Sequence, residues 1–218
     1  MHPLMSGLQK GLAGLGLPLL DTQQQQLLTY VDLIAKWTKV YNLTAVRDAQ
    51  EMLTHHLLDS LAVIQPLRRE LAKLVLPEDH TQISLLDVGS GAGLPGIVIA
   101  ITCPDVSVTC VDTVAKKAAF IQQVAATLKL PNLKGLHARV ESLTAPYDVV
   151  SSRAFASLGD FTAWSKSALA PHGIWMAMKG KNPDQELAGL PESTRVFHVE
   201  QLQVPGLDAE RCIIWMRG

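Results

Sequence analysis

The chain has 218 residues, a formal net charge of −1 at pH 7 and a hydrophobic content of 48%. This length and hydrophobic content predict a sizeable folded core and exclude an intrinsically disordered chain. The apolar runs are too short or too broken to span a bilayer, and the near-neutral charge excludes a generic basic coat for nucleic acid, so a polyanionic substrate would need a local basic surface.

Residues 1–80 are predicted to form an N-terminal helical segment that packs on the rest of the chain. Apolar side chains recur there at helical spacing, and the predicted helices cover residues 8–15, 21–42, 48–66 and 67–76. Asp21 offers an N-cap for the second helix, and Asn42 offers a stop. Asp48 occupies the first position of a capping box for the third helix, which is expected to end at Pro66.

Residues 81–218 are predicted to form a second unit, because the pattern changes from helical spacing to short apolar runs. Strand-like runs cover residues 83–88, 107–111, 133–137, 147–151 and 173–179, and helical patterns lie between them at 95–102, 114–129 and 158–169. Near-continuous hydrophobic strands that alternate with helices indicate an α/β fold with a mostly parallel sheet. The last strand-like segments, 195–204 and 211–216, are joined through Pro205-Gly206 and predict a C-terminal antiparallel hairpin.

The first strand-like run ends in a carboxylate and a glycine-rich turn. Asp87 is followed by alternating glycines, and then by Pro95, which suits a first helical turn; the glycines are Gly89, Gly91 and Gly93. Such a turn lets a ligand lie against bare backbone, and the free N–H groups of the helix start face it. The pattern fits two cofactors, because it satisfies both the D-x-G-x-G-x-G form of S-adenosylmethionine (SAM) enzymes and the G-x-G-x-x-G fingerprint of dinucleotide enzymes.

Asp112, at the end of the second strand, follows Gly91 at about the 20-residue distance where a carboxylate can bind the ribose hydroxyls of either cofactor. The same residue could cap the next helix, and the two roles are compatible. Asp87 distinguishes the cofactors, because a nearby carboxylate repels an anionic pyrophosphate but attracts the ammonium and sulfonium groups of SAM. SAM is therefore the favoured cofactor, and an NAD-linked oxidoreductase is the alternative.

Polar side chains follow the third, fourth and fifth strands, at the sheet edge where open α/β sheets bind ligands. Val140 could pack on an adenine face while backbone groups beside Glu141 read its edge, or this segment is a surface turn. Arg153 could contact a phosphate or a base edge through its planar guanidinium. Lys179 and Lys181 flank a glycine and could hold phosphate or form a solvated turn.

The histidines and cysteines do not predict a metal site. His55 and His56 are adjacent, whereas a helical pair of metal ligands needs i, i+4 spacing. The cysteines form no C-x-x-C motif and are expected to be reduced core residues of a cytosolic protein; they are Cys103, Cys110 and Cys212. Together with Arg47 and the cations at the strand ends, the two histidines could supply a local basic surface.

Several motifs together resemble the bacterial small-subunit ribosomal RNA methyltransferases of the RsmG (GidB) family. The resemblance covers nearly the whole chain. It rests on W…YNLTAVRD at residues 37–48, HHLLDS at 55–60, DVGSGAGLPG at 87–96, RVE at 139–141, SRAFA at 152–156 and KG at 179–180. Many SAM enzymes share the glycine motif, whereas the N-terminal helical motifs and the SRAFA segment are far more particular.

The resemblance implies a cytoplasmic class I SAM-dependent methyltransferase, with a Rossmann-like sheet, that methylates guanine N7 in the 16S rRNA of the 30S subunit or its precursor. It implies SAM contacts at Gly89, Leu94, Val140, Glu141 and Arg153, which join Asp87, Gly91, Gly93 and Asp112. The expected RNA contacts are Arg47, His55, His56, Arg153, Lys179 and Lys181. Guanine N7 carries no proton, so no catalytic acid or base is strictly required, and Arg153 would orient the reactants. No membrane partner is expected, and the expected assembly is a monomer.

Two further hypotheses use the same residues. The cofactor loop says nothing about the acceptor, so a SAM-dependent methyltransferase could act on a small molecule or a protein instead. A SAM-sensing module that binds RNA without turnover would also need the glycine motif and a basic surface.

Overall fold

A computed structural model of the chain describes residues 2–78, 80–181 and 183–218. The N-terminal segment is helical, as the sequence predicts, and its α-helices are α1 (Met5–Gly14), α2 (Asp21–Tyr41), α3 (Ala49–Met52), α4 (Asp59–Leu61) and α5 (Ile64–Leu71). No helix within the described ranges combines the length and the apolar character needed to cross a membrane.

The ends of α2 and the start of α3 follow the predicted capping residues in two of three places. Asn42 ends α2 in the left-handed conformation, with φ at 50°. The side chain of Asp48 accepts hydrogen bonds from two backbone N–H groups of α3. The predicted N-cap at Asp21 is wrong by one residue, because Leu20 occupies the cap position and its N–H donates to the side-chain oxygen of Gln23.

The prediction of one continuous helix over residues 48–66 is wrong. After α3 the chain forms a π-helical turn at Leu53–Leu58, continues into α4, and then starts α5 as a new helix. A π turn holds extra backbone in one turn and shifts the face on which the following side chains lie; His56 and Asp59 are both buried here. Pro66 lies in the first turn of α5, where its missing N–H interrupts no helical hydrogen bond, so it does not end a helix.

The rest of the chain forms a seven-stranded sheet in the order β3-β2-β1-β4-β5-β7-β6. The strands are β1 (Ile83–Val88), β2 (Val106–Asp112), β3 (Leu133–His137), β4 (Tyr147–Arg153), β5 (Leu169–Lys179), β6 (Arg195–Leu202) and β7 (Arg211–Arg217). The first five strands pair in parallel, and β7 pairs antiparallel with both β5 and β6. The predicted sheet and C-terminal hairpin are confirmed. Since β1 lies between β2 and β4, the strand order reverses there, and ligands bind at such switch points.

Helices cover both faces of the sheet. α6 (Gly96–Thr102) and α7 (Ala115–Leu128) contribute to one hydrophobic cluster, and α8 (Leu158–Ser165) contributes to the cluster on the other face. A short helix, α9 (Asp184–Ala188), follows β5. The predicted helix over residues 158–169 ends early, because the chain tightens into a 3-10 turn at Lys166–Ala168 and then enters β5, where Leu169 pairs with Tyr147.

The helical segment shares its hydrophobic core with one face of the sheet. Leu27 and Leu57 of that segment belong to the same buried cluster as Ile97 of α6. Tyr30 of α2 is fully buried, and its hydroxyl group donates a hydrogen bond of 2.7 Å to the carbonyl oxygen of Ala92. The cysteines are buried free thiols, as predicted.

Candidate active site

The glycine loop, residues 89–95, joins β1 to α6 at the switch point of the sheet. Its glycines all have positive φ angles, which are 63° at Gly89, 59° at Gly91 and 87° at Gly93. A Cβ atom on Gly89 would lie 2.2 Å from a ring carbon of Phe155, so both the backbone conformation and the space require glycine there. The hydrogen bond from Tyr30 to Ala92 fixes the loop from the side of the helical segment.

Asp87 lies beneath this loop rather than inside a cavity. Its carboxylate accepts hydrogen bonds from the backbone N–H of Gly96 at 2.9 Å and from the hydroxyl of Ser151 at 2.8 Å. Complete burial raises the pKa of Asp87 to about 6, although these two hydrogen bonds oppose the rise. Asp87 therefore anchors the loop to α6 and β4, and its charge reaches a ligand through space rather than by contact.

One cavity, the β2–β3 cavity, lies at the carboxyl ends of β2 and β3 and has a volume of about 430 Å³. Its lining combines charged groups of both signs with apolar side chains: Asp112, Val140, Glu141, Phe155 and Trp164, together with Lys117 and Arg139. Asp112 accepts hydrogen bonds from the N–H of Gly91 at 3.0 Å and from that of Val114 at 2.9 Å. The predicted capping role of Asp112 is thus present, and the same carboxylate lines the cavity where a ribose could bind.

A second cavity, the β4–β5 cavity, has a volume of about 440 Å³ and shares Gly89 and Ala154 with the first. The glycine loop contributes Gly91 and Leu94 to its lining, and the strand ends contribute cations. The helical segment supplies one wall. This wall contributes Thr44, His56 and Asp59 to the lining, and the strands contribute Arg153, Lys179 and Arg211.

Asp59 links the helical segment to two strands of the sheet. One oxygen of its carboxylate accepts from Nη1 of Arg153 at 2.8 Å, and the other accepts from Nε of Arg211 at 2.9 Å. Arg153 also donates to the carbonyl oxygen of His55 at 3.0 Å. The Asp59 side chain is only 3% exposed, so this pairing holds two guanidinium groups at one cavity wall with a net positive charge.

His56 places a neutral imidazole in the same wall. Burial, assisted by the charge of Arg153, lowers the pKa of His56 from 6.5 to about 4. Its Nε2 atom lies 2.8 Å from the hydroxyl of Thr44. Its Nδ1 atom is buried and has no hydrogen-bond partner among the described residues.

Lys179 reaches this cavity but is already paired. Its ammonium group donates to Glu186 at 2.9 Å and to the carbonyl oxygen of Ala156 at 2.8 Å. RNA phosphate would therefore compete with a carboxylate for Lys179. The sequence did not single out Glu186.

Several predicted site residues lie outside both cavities. Arg47 is exposed and donates to the side chain of Asn42, which stabilises the end of α2. His55 and Lys181 are exposed and line neither cavity. Gly93 has a packing role, because a Cβ atom there would lie 2.3 Å from a side-chain carbon of Ile97. These exposed cations stay predictions for contacts with a larger substrate.

Comparison with known proteins identifies the family of the chain. The chain matches the GidB family, described as rRNA small subunit methyltransferase G, over residues 23–214. The chain belongs to this family. The proteins named ribosomal RNA small subunit methyltransferase G from a Polaromonas species and from Albidiferax ferrireducens are 70% and 67% identical to it. The alignments cover 96% and 100% of this chain, and 92% and 98% of theirs.

Solved structures show the same fold at low sequence identity. A SAM-dependent methyltransferase from Aquifex aeolicus aligns with a TM-score of 0.52 at 17% identity, covering 72% of this chain and 92% of its own. The N-methyltransferase NodS from Bradyrhizobium japonicum aligns with a TM-score of 0.53 at 13% identity, covering 74% and 96%.

These matches confirm the predicted family, the class I methyltransferase fold and the enzyme class, and they support SAM over the dinucleotide alternative.

Proposed function

We propose that this chain transfers the methyl group of SAM to N7 of a guanine in small-subunit (16S) ribosomal RNA. The observation that carries the proposal is the meeting of two cavities at Gly89. One is lined by Asp112, Glu141 and apolar side chains together with Lys117 and Arg139, and the other by Arg153 and Arg211 beside Asp59 of the helical segment. The first suits a nucleoside, and the second suits a base attached to a polyanion. Membership of the small-subunit rRNA methyltransferase family supports the same conclusion.

The residues of the β2–β3 cavity and the glycine loop fit SAM. Asp112 offers a carboxylate at the end of β2 for ribose hydroxyls, and Val140 offers an apolar surface for an adenine face. The bare backbone at Gly89 and Gly91 leaves room for the methionyl end. When bound, SAM supplies an electrophilic methyl group on a positively charged sulfur atom, and the buried charge of Asp87 favours that cation.

The β4–β5 cavity fits the acceptor base. Its volume of about 440 Å³ lies within the usual range for small-molecule sites. Arg153 and Arg211, fixed by Asp59, can donate hydrogen bonds to O6 of guanine, and N7 must stay free of donors to react.

The acceptor atom requires orientation rather than proton transfer. Guanine N7 attacks with its own lone pair and carries no proton, so no side chain has to act as a general base. Positioning two reactants in line can lower a barrier by about 7–11 kcal/mol. Arg153 is the residue best placed to do so, because Asp59 and the carbonyl of His55 hold its guanidinium in one position.

Several larger-scale features extend the proposal. The exposed cations Arg47, His55 and Lys181 contact RNA phosphates outside the cavities, and Lys179 contacts phosphate at the β4–β5 cavity. The substrate is the 30S subunit or its precursor, which places the reaction in the cytoplasm, and the enzyme acts as a monomer.

The test incubates the protein and methyl-labelled SAM with 30S subunits from a strain that lacks this activity, and then maps the labelled nucleoside. We expect one 7-methylguanosine in 16S rRNA. Gly89→Ala should abolish labelling, because a Cβ atom there collides with Phe155. Gly159→Ala, at an open position of α8, is the matched control and should retain it. Label at another atom, in another RNA or in no RNA would refute the proposal.

A further inference from the structure

A cluster of potential metal ligands lies at the opposite edge of the sheet from the cavities. His80 precedes β1, Asp148 lies at the start of β4, and His172 lies near the start of β5. One donor atom from each residue lies within 4.8 Å of the other two. Donor atoms about 2.0–2.2 Å from a shared ion lie roughly 3–4 Å from one another, so a small contraction would close the cluster around an ion.

Hydrogen bonds to one oxygen of Asp148 fix its carboxylate so that the other oxygen faces the two histidines. The backbone N–H and the hydroxyl of Ser84 donate to its Oδ2 atom at 2.7 and 2.8 Å. Its Oδ1 atom faces both imidazoles, with Nε2 of His172 at 2.6 Å and Nε2 of His80 at 3.2 Å. Outer hydrogen bonds of this kind orient the carboxylate ligands of protein-bound metals.

The charge of Asp148 also suits a cation. The carboxylate is only 1% exposed, and a buried carboxylate needs charged or hydrogen-bonding partners, which a bound cation would supply together with Ser84.

The local backbone is built to present His172 to this carboxylate. The pairing of β4 with β5 is irregular here, because Tyr147 pairs with Leu169 while Val149 pairs with Ile174. The additional residues of β5 bulge opposite Asp148, and bulges commonly redirect side chains. Gly173 allows the bulge, since a Cβ atom there would lie 3.0 Å from the carbonyl oxygen of Tyr147.

We propose that His80, Asp148 and His172 bind a divalent transition-metal ion of the Zn²⁺ class. Two imidazoles and one carboxylate favour such an ion over Mg²⁺ or Ca²⁺, which prefer oxygen ligands. The ion fastens the connection between α5 and β1 to β4 and β5. The sequence gives no short-range signal for this site, because its ligands are far apart along the chain. The prediction of no metal site considered only His55, His56 and the cysteines.

The test uses tag-free protein treated with a chelator and titrated with Zn²⁺ in a calorimeter, without SAM or RNA. We expect one equivalent to bind and the thermal unfolding midpoint to rise with Zn²⁺ concentration. His80→Ala should weaken binding at least about tenfold and remove the rise in midpoint. Because His80 is exposed, this variant should still fold. His172→Ala should weaken binding as well.

His198→Ala is the matched control, because His198 is an exposed histidine beside a carboxylate, Glu200, on β6. It should bind Zn²⁺ like the parent chain. Absence of saturable Zn²⁺ binding would refute the site and would indicate that the three side chains are joined only by hydrogen bonds. Equal weakening of binding in His80→Ala and His198→Ala would also refute it and would indicate adventitious ions only. With Co²⁺ as the probe, a visible spectrum that His80→Ala does not alter would refute it too.

Discussion

The hydroxyl of Tyr30 and the carbonyl oxygen of Ala92 form a buried hydrogen bond of 2.7 Å between helix α2 and the glycine loop. Burial raises the pKa of this phenol well above its ordinary value, so it remains a donor at all relevant pH values. The helical segment therefore fixes the glycine loop, which we propose binds the cofactor, and also lines the cavity proposed for the acceptor base.

Replacing Tyr30 with Phe should weaken SAM binding without changing the fold. Without its donor, the carbonyl of Ala92 turns towards water in the free protein, and restoring the binding conformation of the loop costs about 1 kcal/mol, which corresponds to a rise in Kd of roughly five-fold. Calorimetric titration with SAM measures it. Tyr41→Phe, at the exposed end of the same helix, is the control and should bind like the parent. Equal affinity for the Tyr30 variant would contradict the role given to this bond.

Asp59→Asn should be strongly destabilising as well as inactive. It removes the shared charge between Arg153 and Arg211 and leaves two guanidinium groups facing each other. Breaking a buried ion pair in this way costs about 3 kcal/mol. Urea denaturation gives the free energy of unfolding. Asp32→Asn, which removes an exposed carboxylate paired with His2, should change it by less than about 0.5 kcal/mol. A loss as small as the control's would show that the buried pair is energetically unimportant.

Salt dependence should reveal the competition for Lys179. Binding to 30S subunits should weaken as salt rises, and Lys179→Gln should flatten the slope by about one counterion. Glu186→Gln should tighten binding, because it releases the ammonium group from its carboxylate partner. Lys10→Gln, an exposed lysine on α1, serves as the control for nonspecific charge. Weaker binding by Glu186→Gln would show that this pair supports RNA binding instead of competing with it.

The single-turnover rate of methyl transfer should not show a bell-shaped dependence on pH. The acceptor nitrogen loses no proton, and His56, with its pKa lowered to about 4, is neutral throughout the working range. We expect a plateau between about pH 7 and about pH 9, measured by rapid quench with saturating subunits. Two steep limbs near neutrality, with the subunits intact, would establish acid and base groups and refute base-free transfer.

His56 should make the fold sensitive to acid. Its pKa is lower in the folded chain than in the unfolded one, so the unfolded state binds a proton first as the pH falls from 6.5 to about 4. At about 1.4 kcal/mol for each unit, His56 alone removes about 3 kcal/mol of stability over this window. Asp87, whose pKa burial raises to about 6, binds its proton first in the folded state and opposes part of this loss. His56→Gln should abolish that loss in urea denaturation at successive pH values. His55→Gln, at the exposed neighbour, should keep it. An unchanged acid response in His56→Gln would show that another group is responsible.

Local sequence signals predicted the sheet well. The strands are apolar runs bounded by turn residues, and both the parallel core and the final hairpin follow from that pattern. The predictions failed where the local signal was ambiguous. Pro66 looks like a helix stop, yet in a first turn it is harmless. The π turn before Asp59 has no sequence signature.

The proximity of the glycine loop to Asp112 was easier to predict from the sequence than the arrangement of the β4–β5 cavity. Glycines and Asp112 lie within one βαβ unit, whose spacing is regular. Asp59 and Arg211 are 152 residues apart, and only the folded chain brings them together. Asp59 lies within the HHLLDS motif on which the family resemblance rests. The sequence therefore drew attention to this segment but did not predict that Asp59 pairs with two arginines. The sequence could not predict that Asp87 is buried either, because a carboxylate at the end of a strand can point into the ligand cleft or beneath the loop that follows the strand.

The hydrophobic cluster that runs from the helical segment into the sheet also limits how this architecture can be re-engineered. Leu27 and Leu57 of the helical segment lie in the same buried cluster as Ile97 of α6, so each side covers apolar surface of the other. A fragment that begins at residue 81 would expose this apolar surface and would therefore tend to aggregate. It would also lack Asp59, the carboxylate that Arg153 shares with Arg211. Transfer of the proposed specificity to another scaffold therefore requires the helical segment and the sheet together.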